Sequence, residues 1–333
     1  MKEKIDFVIT WVDGNDPDWQ KERNKYLSEK IDIADNQNGE CRYRDMGTLR
    51  YWFRAVEKYA PWVNKIHFIT CGHLPEWLNT KHEKLNIVKH SDYIPAEYLP
   101  TFNTRVIELN LHRIEILNEH FVLFNDDMFL NDNVSEDFFF KNGLPRGSAI
   151  LCPIFPKGNF DHAVLNNIIL LNKNFDFRTS IRKNFRKFIN IKYGLKNIRN
   201  LILGTYVELC GFKEFHSISN FLKSTFIEIW EKERNVLDKT SRSRFRTNEN
   251  VTQWLIKNWQ FMKGQFEPIS PKYTEYYGLG SAIADITKDI KENKHKVICI
   301  NDTDMNYDFE KAKSEVIRAF EEKFPRKCSY ERD

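Results

Sequence analysis

Two adjacent carboxylates, Asp126 and Asp127, stand between apolar blocks in Phe121-Val-Leu-Phe-Asn-Asp-Asp-Met-Phe-Leu130. Carboxylates in apolar surroundings are stable when paired, hydrogen-bonded or bound to a cation. A pair delivered by a buried strand could hold a divalent ion that bridges diphosphate oxygens. It could also mark the end of the strand, with both acids in water. Asp13-Gly14 close an earlier strand as a tight turn, or as a bend that lets a nucleotide reach the backbone while Asp13 accepts from its base or ribose. Arg42, Arg44 and Asp45 lead into a helix, where an arginine could pair with phosphate oxygens. Arg50 and Arg54 read as surface residues of that helix. His216 is a lone histidine in an expected loop, structural or acid–base. Arg246 ends the basic cluster Arg242-Ser-Arg-Phe-Arg246. It reads as standing just before a helix N-terminus, where unpaired N–H groups and a planar guanidinium could bind phosphate, or as simple surface charge. Asn250 and Gln253, one turn apart in that helix, could add polar ligands.

The elements that must position these residues alternate. Ile5–Val12 reads as a buried strand stopped by Asp13-Gly14. Leu49, Trp52, Phe53 and Val56 recur at helical spacing in a helix that ends before Pro61. Lys65–Thr70 and Leu85–His90 read as strands, and Ile107, Leu111, Ile114 and Leu117 as one helical stripe before the strand at 121–125. Such alternation predicts an α/β fold whose mostly parallel sheet is flanked by helices. The ligand crevice then lies at the carboxyl ends of the strands, where Asp13, His73 and the acid pair converge. Further on, Phe221, Leu222, Phe226, Ile229 and Trp230 predict a helix over 221–237, and Val251, Trp254, Leu255 and Trp259 another over Asn250–Lys263. The run Arg178–Arg199 is rich in Lys, Arg and Asn. It reads as a solvated helical face, with an acidic membrane surface or a phosphorylated acceptor as the alternative.

Composition sets limits. The 333 residues allow a large core, read as a single catalytic domain (1–333), and 51 basic against 47 acidic residues give a net charge of +4. That balance argues against a nucleic-acid binder spread over the whole surface but leaves room for local basic patches. Phe, Tyr and Trp make up 14% of the chain, which suits a folded enzyme. Six cysteines lack Cys-x-x-Cys or zinc spacing, so reduced thiols in a cytoplasm are the expectation. The N-terminus lacks the apolar core of a signal peptide, and no apolar run reaches the roughly 18 residues of a spanning helix. The expectation is a soluble cytoplasmic protein, or at most one peripheral on the inner face of the cell membrane. There is no Gly-x-x-x-x-Gly-Lys and no Gly-x-Gly-x-x-Gly loop.

Four blocks together carry a family likeness. They are Ile5-Asp-Phe-Val-Ile-Thr-Trp-Val-Asp-Gly-Asn-Asp-Pro17; Arg42-Tyr-Arg-Asp-Met-Gly-Thr-Leu-Arg-Tyr51 continuing through Ala60-Pro-Trp62 to Pro75-Glu-Trp-Leu-Asn79; His90-Ser-Asp-Tyr-Ile-Pro95 through Leu99-Pro-Thr-Phe-Asn103 and His112-Arg113 to the acid pair; and His216 through Phe245-Arg-Thr-Asn-Glu-Asn250 to Gln253-Trp254. In them the chain resembles the Stealth family of sugar-phosphate transferases. That family contains bacterial capsular and exopolysaccharide phosphotransferases and the catalytic part of lysosomal-enzyme N-acetylglucosamine-1-phosphotransferase.

The resemblance implies a nucleotide-sugar-transferase-like fold and transfer of a hexose-1-phosphate from a UDP-sugar to a hydroxyl of a saccharide or lipid-linked oligosaccharide. It implies that Asp126 and Asp127 hold Mg²⁺ or Mn²⁺, that Arg246 stabilises phosphate charge, that His216 is the general base, and that Trp11, Asp13 and Gly14 belong to the nucleotide site. Position 250 is Asn where relatives often have Asp. Residues 1–135 then form the nucleotide-sugar part, 140–213 a helical acceptor-side insertion, and 214–333 the catalytic completion. Two other readings compete: a metal-dependent glycosyltransferase that attacks the anomeric carbon, and a non-catalytic glycan-binding protein.

Overall fold

The computed structural model describes residues 3–27, 43–280, 282–302 and 307–332. Among the described residues there are eleven strands: β1 (Ile5–Thr10), β2 (Ile66–Thr70), β3 (Leu85–Lys89), β4 (His120–Asn125), β5 (Met128–Leu130), β6 (Phe140–Lys141), β7 (Leu144–Gly147), β8 (Ser219–Leu222), β9 (Glu267–Pro268), β10 (Thr274–Gly278) and β11 (Val297–Asn301). The main sheet runs β3-β2-β1-β4-β8, and two three-stranded sheets have the orders β10-β11-β5 and β6-β7-β9. In the main sheet β1 is parallel to β2 and β4, with Phe7 opposite both Ile66 and Val122, and β2 is parallel to β3. An antiparallel edge strand, β8, completes it. The α/β class with a mostly parallel sheet is the one expected.

The apolar run of β1 is explained by burial on both faces. Phe7 and Ile9 join a core with Trp52, Phe53 and Val56 of the helix Leu49–Tyr59. Val8 points into a second core with Phe121, Leu123, Phe177 and Trp259. The acid of β1, Asp6, is fully buried 3.1 Å from the equally buried His67, and accepts hydrogen bonds from Asn64 and Asn118. Burial by itself would raise this carboxyl; the bonds from His67, Asn64 and Asn118 outweigh it and hold it below its ordinary value.

Four expectations need correction. The stripe 107–117 is not one helix: a helix Thr104–Leu109 stops at Asn110 and a 3₁₀ turn, Leu111–Arg113, follows. Asn110 Nδ2 donates to the Val106 carbonyl at 2.9 Å, a side-chain bond that competes with helix continuation. Phe221 and Leu222 belong to β8, because the open edge of β4 takes them as partners, with Phe121 opposite Phe221. The expected 221–237 helix is instead two helices, Lys223–Lys232 and Arg234–Ser241. The next helix is Trp254–Lys263, ended by Gly264 at φ +70°, so Asn250 precedes it. Arg54 is not a surface residue: its Nε and Nη2 donate to Glu331 at 2.6 and 2.7 Å and Nη1 donates to the Phe324 carbonyl, tying the helix Leu49–Tyr59 to the C-terminal segment.

Residues 140–213 are largely helical: Asn159–Asn174 is followed by the shorter helices Phe177–Lys183, Phe185–Phe188 and Lys196–Leu203. Each of the last three puts an apolar flank, through Phe177, Ile181, Phe188 and Leu203, into the second core. Among the described residues no helix is long and apolar enough to cross a membrane.

Candidate active site

A cleft of about 330 Å³ opens at the carboxyl ends of the central strands. Thr10 and Trp11 at the end of β1 and Asn125, Asp126 and Asp127 at the end of β4 form part of its floor, and Ile300, Asn301 and Asp302 from the end of β11 close one side. His216, Arg246, Gln253 and Trp254 come from later loops and the start of the helix Trp254–Lys263. The geometry follows from the sheet. β4 and β5 are joined by the two acids, and β5 pairs antiparallel with β11, so Asp127 is held against the C-terminal strand. The Ile300 N–H donates to the Asp127 carbonyl at 2.8 Å.

Asp127 is the more constrained acid. Its Oδ2 accepts from Asn301 Nδ2 at 2.5 Å and from Cys299 Sγ at 3.3 Å, and lies 3.7 Å from His216 Nε2. Burial would raise this carboxyl, but the nearby His216, followed by the hydrogen bonds from Asn301 and Cys299, brings it below its ordinary value. Asp126 behaves oppositely. Crowding by protein at the cleft floor, then the charges of Asp127 and Asp45, push its carboxyl up to about 8. Its side chain opens to the water of the cleft, which moderates this. Two adjacent acids that cannot both ionise freely are a receptive place for positive charge.

The residues present fit a divalent cation. Asp127 Oδ1 and Asn301 Oδ1 are buried with no hydrogen-bond partner among the described residues. Unsatisfied buried oxygens are costly, and a hard cation takes oxygen ligands of this kind. Asp127, His216 and Cys299 also offer ligand atoms within 4.8 Å of one another. The Cys299 thiol, however, is pushed well above its ordinary value by burial and by the charge of Asp127, and it acts as a donor to that acid. A protonated thiol is a poor ligand, so the oxygens of Asp126, Asp127 and Asn301, with His216 beside them, are the better set.

Arg246 reaches the cleft and donates through Nη2 to Thr104 Oγ1 at 2.6 Å. The expected helix start is absent beside it, since the helix begins eight residues later at Trp254. The loop is held instead by Asn250, whose Oδ1 accepts from Asn103 Nδ2 and the Thr247 N–H at 3.0 Å each, while its Nδ2 donates to Ser243 Oγ at 3.0 Å. Asn250 is thus buried scaffolding outside the cleft, whereas Gln253 lines it. His216 is bordered edge-on by Trp254 and Tyr276.

The nucleotide-side candidates divide. Trp11 lines the cleft; Asp13 and Gly14 are not among the lining residues. The Asp13 N–H donates to His73 Nε2 at 2.8 Å, and the acid's Oδ1 caps the Asn15 N–H. Gly14 is needed for a contact within the chain: a Cβ there would sit 1.8 Å from the Tyr43 carbonyl oxygen. The bend therefore admits the protein's own backbone. Arg44 lines the cleft, but its guanidinium is paired with Asp302, with Nε 2.8 Å and Nη2 2.6 Å from Oδ2, and lies over the Phe309 ring. Arg42 lies outside the described residues.

Sequence reasoning missed Arg105 and Glu108, which occupy one face of the helix Thr104–Leu109 and line the cleft while almost fully buried. Burial, against the nearby Arg246 and Arg105 charges, raises the Glu108 carboxyl to about 7. Burial, then Arg246, lowers the Arg105 guanidinium to about 9. Charged residues at i and i+3 within an apolar helix were the available signal. Asn301 and Asp302 were also missed, although Cys299-Ile-Asn-Asp302 repeats the pattern of Leu123-Phe-Asn-Asp126, an apolar strand run delivering Asn-Asp.

Comparison with known proteins follows the same segments. The Stealth protein CR1 model, conserved region 1, matches residues 3–31, and Stealth protein CR2, conserved region 2, matches residues 42–146, which include the acid pair. The chain is 45% identical over 331 residues to the capsular polysaccharide phosphotransferase WcwK of Streptococcus pneumoniae, covering 99% of this chain and 98% of that one. It is 42% identical to the receptor polysaccharide phosphotransferase WefC of Streptococcus oralis, over 98% of this chain and 99% of the relative. With the exopolysaccharide phosphotransferase cps2G of Lactiplantibacillus plantarum it shares 39% identity, over 98% of this chain and 96% of the relative. The solved glycosyltransferase GlyE of Streptococcus pneumoniae superposes with a TM-score of 0.40 at 13% identity, covering all of this chain and 65% of GlyE, a likeness too distant to bear on the site. Matched conserved regions and relatives aligned from end to end agree: the chain belongs to the Stealth family.

Proposed function

We propose that this protein is a sugar-phosphate transferase that moves a hexose-1-phosphate from a UDP-sugar to a saccharide hydroxyl, forming a phosphodiester in a bacterial surface polysaccharide. The acceptor is a saccharide or a lipid-linked oligosaccharide. The observation that carries the reading is the convergence of Asp126, Asp127, His216 and Arg246 on one cleft from three distant segments. The names of the end-to-end relatives, all polysaccharide phosphotransferases, support it independently.

Phosphoryl transfer asks a protein mainly to position groups and neutralise charge on phosphate oxygens. The acceptor hydroxyl oxygen bonds to the β-phosphorus while the bond from that phosphorus to the oxygen bridging the two phosphates breaks. UMP leaves, and the sugar keeps its bond to its own phosphate. His216 takes the hydroxyl proton, and the Asp127 carboxylate 3.7 Å away stabilises the imidazolium. Arg246, oriented by Thr104, faces the transferring phosphate, and Arg105 adds a second positive charge from the same wall. Trp11 and Arg44 lie on the donor side, with Arg44 kept rigid by Asp302. Asp126 and Asp127, with Asn301, would hold Mg²⁺ or Mn²⁺, which supplies charge neutralisation across the diphosphate when bound.

The test is a donor carrying ³²P in its β-phosphate, incubated with purified protein, Mg²⁺ and a saccharide acceptor. The expected result is label in the saccharide product and release of UMP. Label found solely in released UDP would mean attack at the anomeric carbon and would overturn the assignment.

A further inference from the structure

The surface formed by residues 177–207 has a composition found nowhere else in the chain. These residues contain eight Lys or Arg and no Asp or Glu, since Asp176 precedes the stretch and Glu208 follows it. Among the described residues, eight of the fifteen exposed large apolar side chains fall between Phe185 and Val207. Ile191 is 93% exposed, Leu195 86%, Val207 62% and Ile202 59%. The short helices here are anchored by Phe188, Tyr193, Asn200 and Leu203, which are buried, so the aliphatic residues between them are the outward face of a well-held element. Asn200 fixes that element from below, accepting from the Leu151 N–H and donating to the Ala149 and Phe188 carbonyls. Lys183, Arg186 and Lys196 form no ion pair among the described residues.

We propose that this face docks on an anionic lipid bilayer, with its aliphatic side chains at the headgroup–acyl boundary and its arginines and lysines on lipid phosphates. Apolar side chains interleaved with cations, and no acids, are the composition that suits such an interface. A second copy of the chain fits poorly, because a two-fold contact through this patch would oppose eight cations with eight others. The patch is also continuous with the active site. A groove of about 710 Å³ runs from His216 and Tyr276, which line the catalytic cleft, past Lys213 and Lys272 to Lys196 at the start of the helix Lys196–Leu203. A bilayer on this face would therefore present a lipid-linked diphosphate to a groove whose lining, four lysines against Glu214 and Glu275, is basic on balance and ends at the candidate base. The docking does not depend on the reaction proposed above, and its test has no catalytic readout.

The experiment is flotation of the full chain with vesicles of phosphatidylcholine, or of phosphatidylcholine with phosphatidylglycerol. The protein should float with the anionic vesicles, stay in solution with the neutral ones, and be released by salt. Leu195→Ser with Ile198→Ser should lower partitioning about tenfold or more through lost apolar contact. Lys183→Gln with Arg186→Gln should weaken binding and flatten its salt dependence. Circular dichroism melts of both variants should match the parent, since these side chains are exposed. Several outcomes would overturn the proposal: no binding to anionic vesicles, equal binding to neutral ones, or unchanged binding of both folded variants. So would a solution dimer, seen by analytical ultracentrifugation, that the variants dissociate.

Discussion

Asp126 and Glu108 have raised carboxyls for the same first reason, the crowding of protein around them, yet they answer different needs. Asp126 meets the charge of Asp127 in an open cleft, whereas Glu108 is enclosed and faces Arg105, Arg246, His216 and Asp127. For the acid pair, Asp126→Asn or Asp127→Asn should lower turnover at least about a hundredfold. The circular dichroism spectrum should not change, and Mn²⁺ binding followed by electron paramagnetic resonance should weaken in parallel; unweakened Mn²⁺ binding would remove the pair from the cation site. Removing the proposed general base, by His216→Ala, should cost about 10²–10⁴-fold in turnover and abolish the acidic limb of the pH profile. An unchanged acidic limb would return His216 to a structural role. For Glu108 the consequence is a stability slope. Its carboxyl rises from 4.5 unfolded to about 7 folded, so the folded state binds the extra proton between those values. The stabilisation is fully present below pH 4.5 and is lost as pH rises through about 7. Glu108→Gln should remove this slope, making the variant more stable than the parent at pH 8 by about 2–3 kcal/mol, measured by urea unfolding in chelator.

Among the elements, the loop that carries Arg246 shows how a side chain substitutes for regular structure. Asn250 satisfies Asn103, Thr247 and Ser243 at once. Asn250→Ala would leave the Thr247 N–H without its acceptor and remove one acceptor of the buried Asn103 amide, which keeps the Ser243 and Phe245 carbonyls, a loss of about 1–3 kcal/mol. A lower melting temperature together with reduced turnover is expected; a lower melting temperature with unchanged turnover would show that the loop holds Arg246 without Asn250. This loop also marks where legibility in the sequence stopped. The strands around β1, β2 and β4 were readable because burial on both faces requires unbroken apolar runs, and the acid pair stood out against them. Phe221 and Leu222 were misread because a short apolar run fits a strand edge and a helix equally well until its partner is known. The stripe at 107–117 was misread because the Asn110 side chain, not a Pro or Gly, ends the helix. Arg105 and Glu108 were overlooked because charges inside a helix normally face water, and nothing local reports that a cleft lies above them.

At the scale of the molecule, the main sheet separates two cores that share β1. Phe7 lies in one and Phe177 in the other, both fully buried. Phe7→Ala and Phe177→Ala should each destabilise by about 3–5 kcal/mol. Because Val8 and Phe7 lie on opposite faces of one strand, both variants should melt in a single calorimetric transition; two separated transitions would show that the cores unfold independently. The order of the chain around this sheet has a further effect. The cleft takes Thr10 from the first strand and Asn301 and Asp302 from the last, and Asp127 is held by β11. During translation the acid pair therefore leaves the ribosome about 170 residues before the Asn301 amide that orients it. A nascent chain can fold β1, β2 and β4 early, yet its catalytic cleft stays unfinished until the β11 segment emerges. Ribosome stalling or a late nonsense codon then yields an inert polypeptide, not a transferase acting on sugar nucleotides without its full binding surface.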